Sequence, residues 1–278
     1  VINTMIPQLK EADISTYTGG ATYSIPIPVP PSLGDYSPAV SLSYNSQMAD
    51  NASSQRQGSA IGLGWDLNYG GRITTDTGAS FSSKTDDSYS ITIGNLTSEL
   101  VPVSQGTNYI EYETRIKSYQ NIRKYKPTSG DDYWIMFDQS GNKFTFESWS
   151  KYWGYDPNKY SGWELTKVED AYGNITRFTY FKTTLGTTYP KVTMEKQIRD
   201  IIYPDGHTRI QFNWSNTRTD YEVDWWWGYN PHFKHEIDNI QIVYDPQINY
   251  TTDSAGNYLV NYGDADQEVI ISSVDLNY

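Results

Sequence analysis

The stretch Tyr23-Ser24-Ile25-Pro26-Ile27-Pro28-Val29-Pro30-Pro31 is apolar enough for a buried strand, yet it carries a proline at every second position. Proline fixes φ at a value an extended chain accepts but has no N–H to give to a ladder, so in sheets it is confined to unpaired edges. Along an extended chain successive N–H groups point to opposite edges and successive side chains to opposite faces. Pro26, Pro28 and Pro30 therefore share one edge and one face, and Ile25, Ile27 and Val29 share the others. This pattern predicts a strand over residues 21–30 that pairs along one edge only, a protected place for a sheet to begin.

Period-two alternation recurs outward from this stretch, and helical periodicity is nearly absent. Val40, Leu42 and Tyr44 alternate with Ser41 and Ser43; Ile210, Phe212 and Trp214 alternate with Arg209, Gln211 and Asn213. Between such runs lie Asp138-Gln139-Ser140-Gly141-Asn142, Asp170-Ala171-Tyr172-Gly173-Asn174, Pro204-Asp205-Gly206-His207 and Asp253-Ser254-Ala255-Gly256-Asn257. Each reads as a tight turn with glycine where φ must be positive, joining two antiparallel strands. The glycines are spaced by 32, 33 and 50 residues, a recurring hairpin with variable insertions.

Composition fits an all-β chain. Tyrosine supplies 25 residues and tryptophan 9, so rings must provide much of the buried area, and rings favour strands. With 21 basic against 33 acidic residues the net charge is −12, which argues against nucleic acid or an anionic membrane as the main partner. There is no cysteine, hence no disulfide framework and no thiolate chemistry. No apolar run reaches the ~18 residues of a membrane-spanning helix, and Val1 begins no recognisable signal peptide. The expectation is a chain whose leader has been removed, or a piece of a longer one.

The segments Gly20–Pro31, Ser37–Ser46 (SPAVSLSYNS) and Gly62–Leu67 (GLGWDL), in that order and spacing, resemble the N-terminal domain shared by SpvB-type virulence proteins and the B components of insecticidal Tc toxin complexes. The later Asp-x-x-Gly-Asn hairpins are similar to those of the Rhs and YD-repeat family. The resemblance implies a large antiparallel, hairpin-repeat sheet forming part of a shell or cocoon, with an SpvB-like segment over 1–75 and Rhs-like hairpins over 76–278. It also implies a secreted bacterial protein whose shell encloses or delivers a C-terminal payload. The expected partner is the remainder of its own longer chain or a complementary Rhs/TcC-like subunit. These residues contain neither the family's terminal core motif with its aspartate-based protease nor a payload sequence. Ser98-Glu99 lacks the Glu-x-Glu continuation of the SpvB-type ADP-ribosyltransferase. The resemblance therefore assigns no toxic activity here.

The residues point the same way. Gly62-Leu63-Gly64 has no third glycine and is followed by Trp65, so it reads as a bend that lets Trp65 pack and not as a phosphate loop. His232 and His235 lack a third metal ligand, and the acidic pairs Asp86-Asp87, Asp131-Asp132 and Asp264-Ala265-Asp266 are too sparse for calcium; no metal and no cofactor is expected. A non-catalytic scaffold is the leading expectation, with the sheet broad and open at Val269–Val274. A closed barrel around a pocket of paired carboxylates would instead favour an enzyme. The alternative function is an extracellular adhesin that binds a glycan or a cell-surface protein. Its candidate residues are Trp225, Trp226, Trp227 and Tyr229 in one cluster, Trp149 and Trp153 in another. Three consecutive tryptophans cannot all face one core from a strand, so at least one should project from the other face.

Overall fold

The computed structural model describes residues 13–14, 19–50, 59–76, 87–94, 96–118, 120–151, 160–185, 192–215, 235–252, 258–262 and 267–276. Among the described residues the chain is all-β apart from a five-residue helix, α1 (Ser46–Asp50). Its contacts group it into two compact units, one of Val1–Leu33, Pro38–Asn68 and Ile198–Tyr278, the other of Gly34–Ser37 and Tyr69–Gln197.

In the first unit β1 (Asp13–Ile14), β2 (Ala21–Ile27), β3 (Val40–Asn45) and β4 (Trp65–Asn68) form an antiparallel sheet in that order. The proline strand is β2, and it corrects the single-edge expectation in two ways. The strand ends at Ile27 instead of residue 30, and β1 pairs with its second edge at Ala21 and Thr22. Thr22 shares the proline edge by parity but keeps its N–H, so pairing there is open until the prolines begin. From Tyr23 to Ile27 the described partner is β3 alone, in register through Pro26↔Ser41. Thr22, Ser24 and Pro26 are exposed while Ile27 is buried. Past the strand, the Tyr203 hydroxyl donates to Pro30 O at 2.7 Å and anchors the proline run.

Gly62 and Gly64 both have positive φ. A Cβ on Gly64 would meet the Tyr44 ring at 2.7 Å, and Trp65 then packs against Tyr44 at 5.3 Å between centroids. The bend makes room for the indole.

The same unit holds β14 (Val192–Ile202) from Ile198 onward, β15 (Thr208–Trp214), β16 (Ile237–Tyr244) and β19 (Val269–Asp275), joined antiparallel in that order. A small hairpin pairs β17 (Asn249–Thr252) with β18 (Tyr258–Asn261). Ile198, Ile201, Ile202, Ile210, Phe212, Ile240, Ile242 and Val243 are buried; Ile210 and Phe212 follow the alternation, whereas Ile242 and Val243 are buried side by side at a register shift between β16 and β19.

The second unit departs from an open sheet. Strands β5 (Gly71–Asp76), β6 (Ser88–Ile93), β7 (Leu96–Gln105), β8 (Tyr109–Thr114), β9 (Asn121–Tyr125), β10 (Tyr133–Phe137), β11 (Lys143–Lys151) and β12 (Tyr160–Glu169) pair antiparallel with their sequence neighbours. β12 then returns to β5 through Gly162↔Thr74, Trp163↔Ile73 and Glu164↔Arg72. The sheet is thereby closed into an eight-stranded barrel, and closure removes both edges. Thr166 is an extra residue between Leu165, paired with Phe146, and Lys167, paired with Thr145. This bulge keeps Leu165 and Val168 both on the buried face, at 0% and 1% exposure, where strict alternation would have turned one of them outward. β13 (Ile175–Leu185) pairs with the end of β12.

The glycine turns are as predicted. Gly141, Gly173 and Gly206 have φ of 85°, 85° and 75° and join β10–β11, β12–β13 and β14–β15; Gly256 lies outside the described residues. The turns also show why aspartate opens the motif. Asp138 Oδ1 accepts from the N–H of Ser140 and Asn142, both at 2.9 Å, and Oδ2 from Asn142 Nδ2 at 2.9 Å. Asp170 repeats this with Tyr172 and Asn174 at 2.9, 2.8 and 2.9 Å. One carboxylate and one amide thus satisfy the donors that a tight turn leaves free. The Asp170 turn carries a further segment: Asp35 N–H donates to Asp170 Oδ2 at 3.2 Å, and a Cβ on Gly34 would come within 1.9 Å of that oxygen. Only glycine fits there.

Candidate functional site

Barrels of eight strands are just wide enough either to be filled by side chains or to hold one small ligand. This one is filled. Trp134 and Trp163 are 0% and 1% exposed with centroids 5.7 Å apart, and Tyr89 lies 5.2 and 5.8 Å from them. Tyr112 closes the cluster 4.8 Å from Trp134, and burial, then the neighbouring Tyr89 and Asp132, pushes its phenol well above the ordinary range. Among these rings sits one cation, Lys124. Its Nζ donates to the Tyr89 hydroxyl at 2.9 Å and lies 3.4 Å from Asp132 Oδ2. It also stands 4.5 and 4.8 Å from the Tyr89 and Trp163 ring centroids. A buried ammonium persists when it is paired and faced by π-systems. Trp163 Nε1 donates to Asp132 O at 2.8 Å, so lysine, carboxylate and indole form one connected plug. The alternation Ile122-Arg123-Lys124-Tyr125 places Lys124 on the apolar face with Ile122, which was the available sequence signal for it.

Buried carboxylates occur, and they face cations or hydrogen-bond donors. In the first unit Arg209, 1% exposed, lies 3.5 Å from Asp200, 3.0 Å from Asp245 and 2.7 Å from Glu268. The Tyr262 hydroxyl donates to Asp200, and burial followed by that carboxylate raises its phenol far above the usual value. In the second unit burial pushes the Glu164 carboxyl up against the opposing pull of Lys196 and Arg72. Tyr180, beside it, gives its hydroxyl to Leu165 O at 2.7 Å. These groups tie strands together.

Of the aromatic residues singled out from sequence, Trp149 lies in β11 with its side chain outside the described set. Trp153, Trp225, Trp226, Trp227 and Tyr229 also lie outside the described residues. The described aromatic surface is elsewhere. Tyr109, Tyr125 and Tyr133 occupy directly opposed positions on β8, β9 and β10, forming one row across the barrel's outer face. They floor a groove of about 640 Å³ whose other lining residues are Gly106, Thr107, Asn108, Pro127 and Thr128. The row was missed because its members are 16 and 8 residues apart in sequence and meet only through strand register.

No family model matches the sequence, and no curated protein matches it. Solved structures do. The crystal structure of TcdB2-TccC3 aligns with 93% of this chain at a TM-score of 0.65 and 15% identity, over 17% of that chain. The Tc holotoxin pore of Photorhabdus luminescens aligns with 94% at a TM-score of 0.62 and 16% identity, over 16% of that chain. The N-terminal domain of the effector protein SpvB from Salmonella typhimurium aligns with 91% at a TM-score of 0.59 and 12% identity, over 98% of that chain. The chain has a Tc-toxin/SpvB-like fold. It spans about a sixth of the TcdB2-TccC3 chain and nearly the whole of the SpvB domain.

Proposed function

We propose that this chain is a non-catalytic structural scaffold, the N-terminal part of a secreted bacterial Rhs/Tc-toxin-like protein whose β shell encloses or delivers a C-terminal payload. The observation that carries the reading is β19. Among the described residues it pairs with β16 alone, and Val269, Ile270 and Ile271 on it are 56%, 40% and 47% exposed. A long apolar edge of this kind is an aggregation liability unless another strand covers it. The remainder of the same chain, or a complementary Rhs/TcC-like subunit, would supply that strand. Support against catalysis comes from the barrel interior, where rings and a paired lysine occupy the space a substrate would need. Electron cryomicroscopy of the complete gene product tests the proposal. The expected result is a hollow shell with these residues in its wall and β19 hydrogen-bonded on both sides; a solid particle or an extended stalk with β19 still at an edge would refute it.

A further inference from the structure

We infer that the tyrosine groove on the outer face of the barrel is a binding site for a neutral oligosaccharide. This goes beyond the scaffold reading and is independent of it, since a wall element can carry a ligand on its outer face.

The floor is rigid. Tyr125 and Tyr133 stack with planes 4° apart and centroids 5.0 Å apart, and Tyr109 follows 5.6 Å from Tyr125. A Cβ on Gly106 would come within 2.6 Å of the Tyr109 ring, so the absence of a side chain there lets the ring lie against the backbone. Arg123 stands 4.8 Å from the same ring. Its charge is engaged, by Glu111 at 3.4 Å and by a hydrogen bond with Tyr125. Rings locked before binding lose little freedom when a ligand arrives.

The walls select the ligand. They are the β7–β8 turn, with Thr107 and Asn108, and the β9–β10 turn, with Pro127 and Thr128; all four residues are exposed. None of the eight lining residues is charged, in a chain with 21 basic and 33 acidic side chains. An ionic ligand would find no free counter-charge among them, and a wholly apolar one would desolvate the hydroxyls and the amide without replacing their hydrogen bonds. A pyranose offers both requirements, C–H faces for the rings and hydroxyls for threonine and asparagine. The volume lies in the ~300–1,000 Å³ range of small-molecule sites. Cross-strand tyrosine pairing would by itself stabilise the sheet, but it does not account for a groove of this volume lined by uncharged residues alone.

The test is a calorimetric and NMR titration of the protein with chitotetraose, maltotetraose and cellotetraose, and with a proline-rich decapeptide, since aromatic grooves also take polyproline helices. At least one saccharide should bind at millimolar concentration or below and shift the Tyr109, Tyr125 and Tyr133 resonances. Tyr133→Ala should weaken it by about tenfold or more, and Tyr133→Phe should stay within about threefold. Asn108→Ala, in an exposed turn, should weaken binding severalfold with the fold intact, which decides the matter if Tyr133→Ala does not fold. Failure of all three saccharides to bind, binding unaffected by both alanine variants, or capture of the proline peptide in their place would each overturn the assignment.

Discussion

The barrel of β5–β12 and the open stack of β14, β15, β16 and β19 solve the edge problem in opposite ways. The barrel abolishes its edges and must then fill the space it encloses, and large rings do this: Trp134, Trp163, Tyr89 and Tyr112, with Lys124 set among them. Among the described residues the stack keeps an edge at β19, and it buries an aliphatic set dominated by isoleucine, fastened by Arg209 and its three carboxylates. Closure asks for volume, whereas extension asks for flat, repeatable packing and a strand left ready to pair.

The sharpest way to break the contrast is Trp163→Ala. The indole is fully buried and its N–H is bonded to Asp132 O, so the loss should be about 3–5 kcal/mol, read as a fall in the urea midpoint of the barrel unit. In the open stack the comparable target is Arg209. Replacing it with alanine strands the buried Asp200 and Asp245 and should destabilise by about 3–5 kcal/mol if the pairing stays dry, less if water enters; chemical denaturation measures it. Loss of less than about 1 kcal/mol in either variant would mean that the residue is not part of a dry core.

Smaller effects probe the hairpins that both regions share. Gly173→Ala forces an L side chain into φ 85° with nothing around it to clash, so strain alone should act, at about 1 kcal/mol. The smallest expected effect is one of pH. The Asn174 side chain, helped by the N–H groups of Asn174, Tyr172 and Asp35 and opposed by burial, holds the Asp170 carboxyl below its ordinary 3.8. A carboxyl lowered on folding adds stability above its unfolded pKa and loses it as pH falls from there through the folded value. Asp170→Asn should therefore flatten the acid limb of the stability curve below pH 3.8, a change visible in thermal melts across that range; an unchanged limb would exclude this turn as a source of acid sensitivity.

The sequence made the hairpins readable because their chemistry is local: Asp138, Asn142 and Gly141 act within five residues of one another, as do Asp170, Asn174 and Gly173. Barrel closure was not readable, because β5 meets β12 across some ninety residues (Arg72↔Glu164) and no turn announces it. The bulge at Thr166 is hidden for the same reason, since it is defined by the partner strand. The proline strand fell between: alternation set its faces, but Thr22 kept a donor on the edge that the prolines were expected to silence. The tyrosine row depends wholly on register, and composition cannot distinguish it from core rings.

The central claim, that the open stack awaits another strand while the barrel does not, is tested most directly by amide hydrogen exchange at β19. In the chain alone, Val269–Asp275 should alternate between slow amides bonded to β16 and fast amides on the free edge. Adding the remainder of the gene product, or a complementary Rhs/TcC-like subunit, should slow the fast set by tenfold or more and leave β5–β12 unchanged. Free-edge amides that stay fast in the complete assembly would contradict the account.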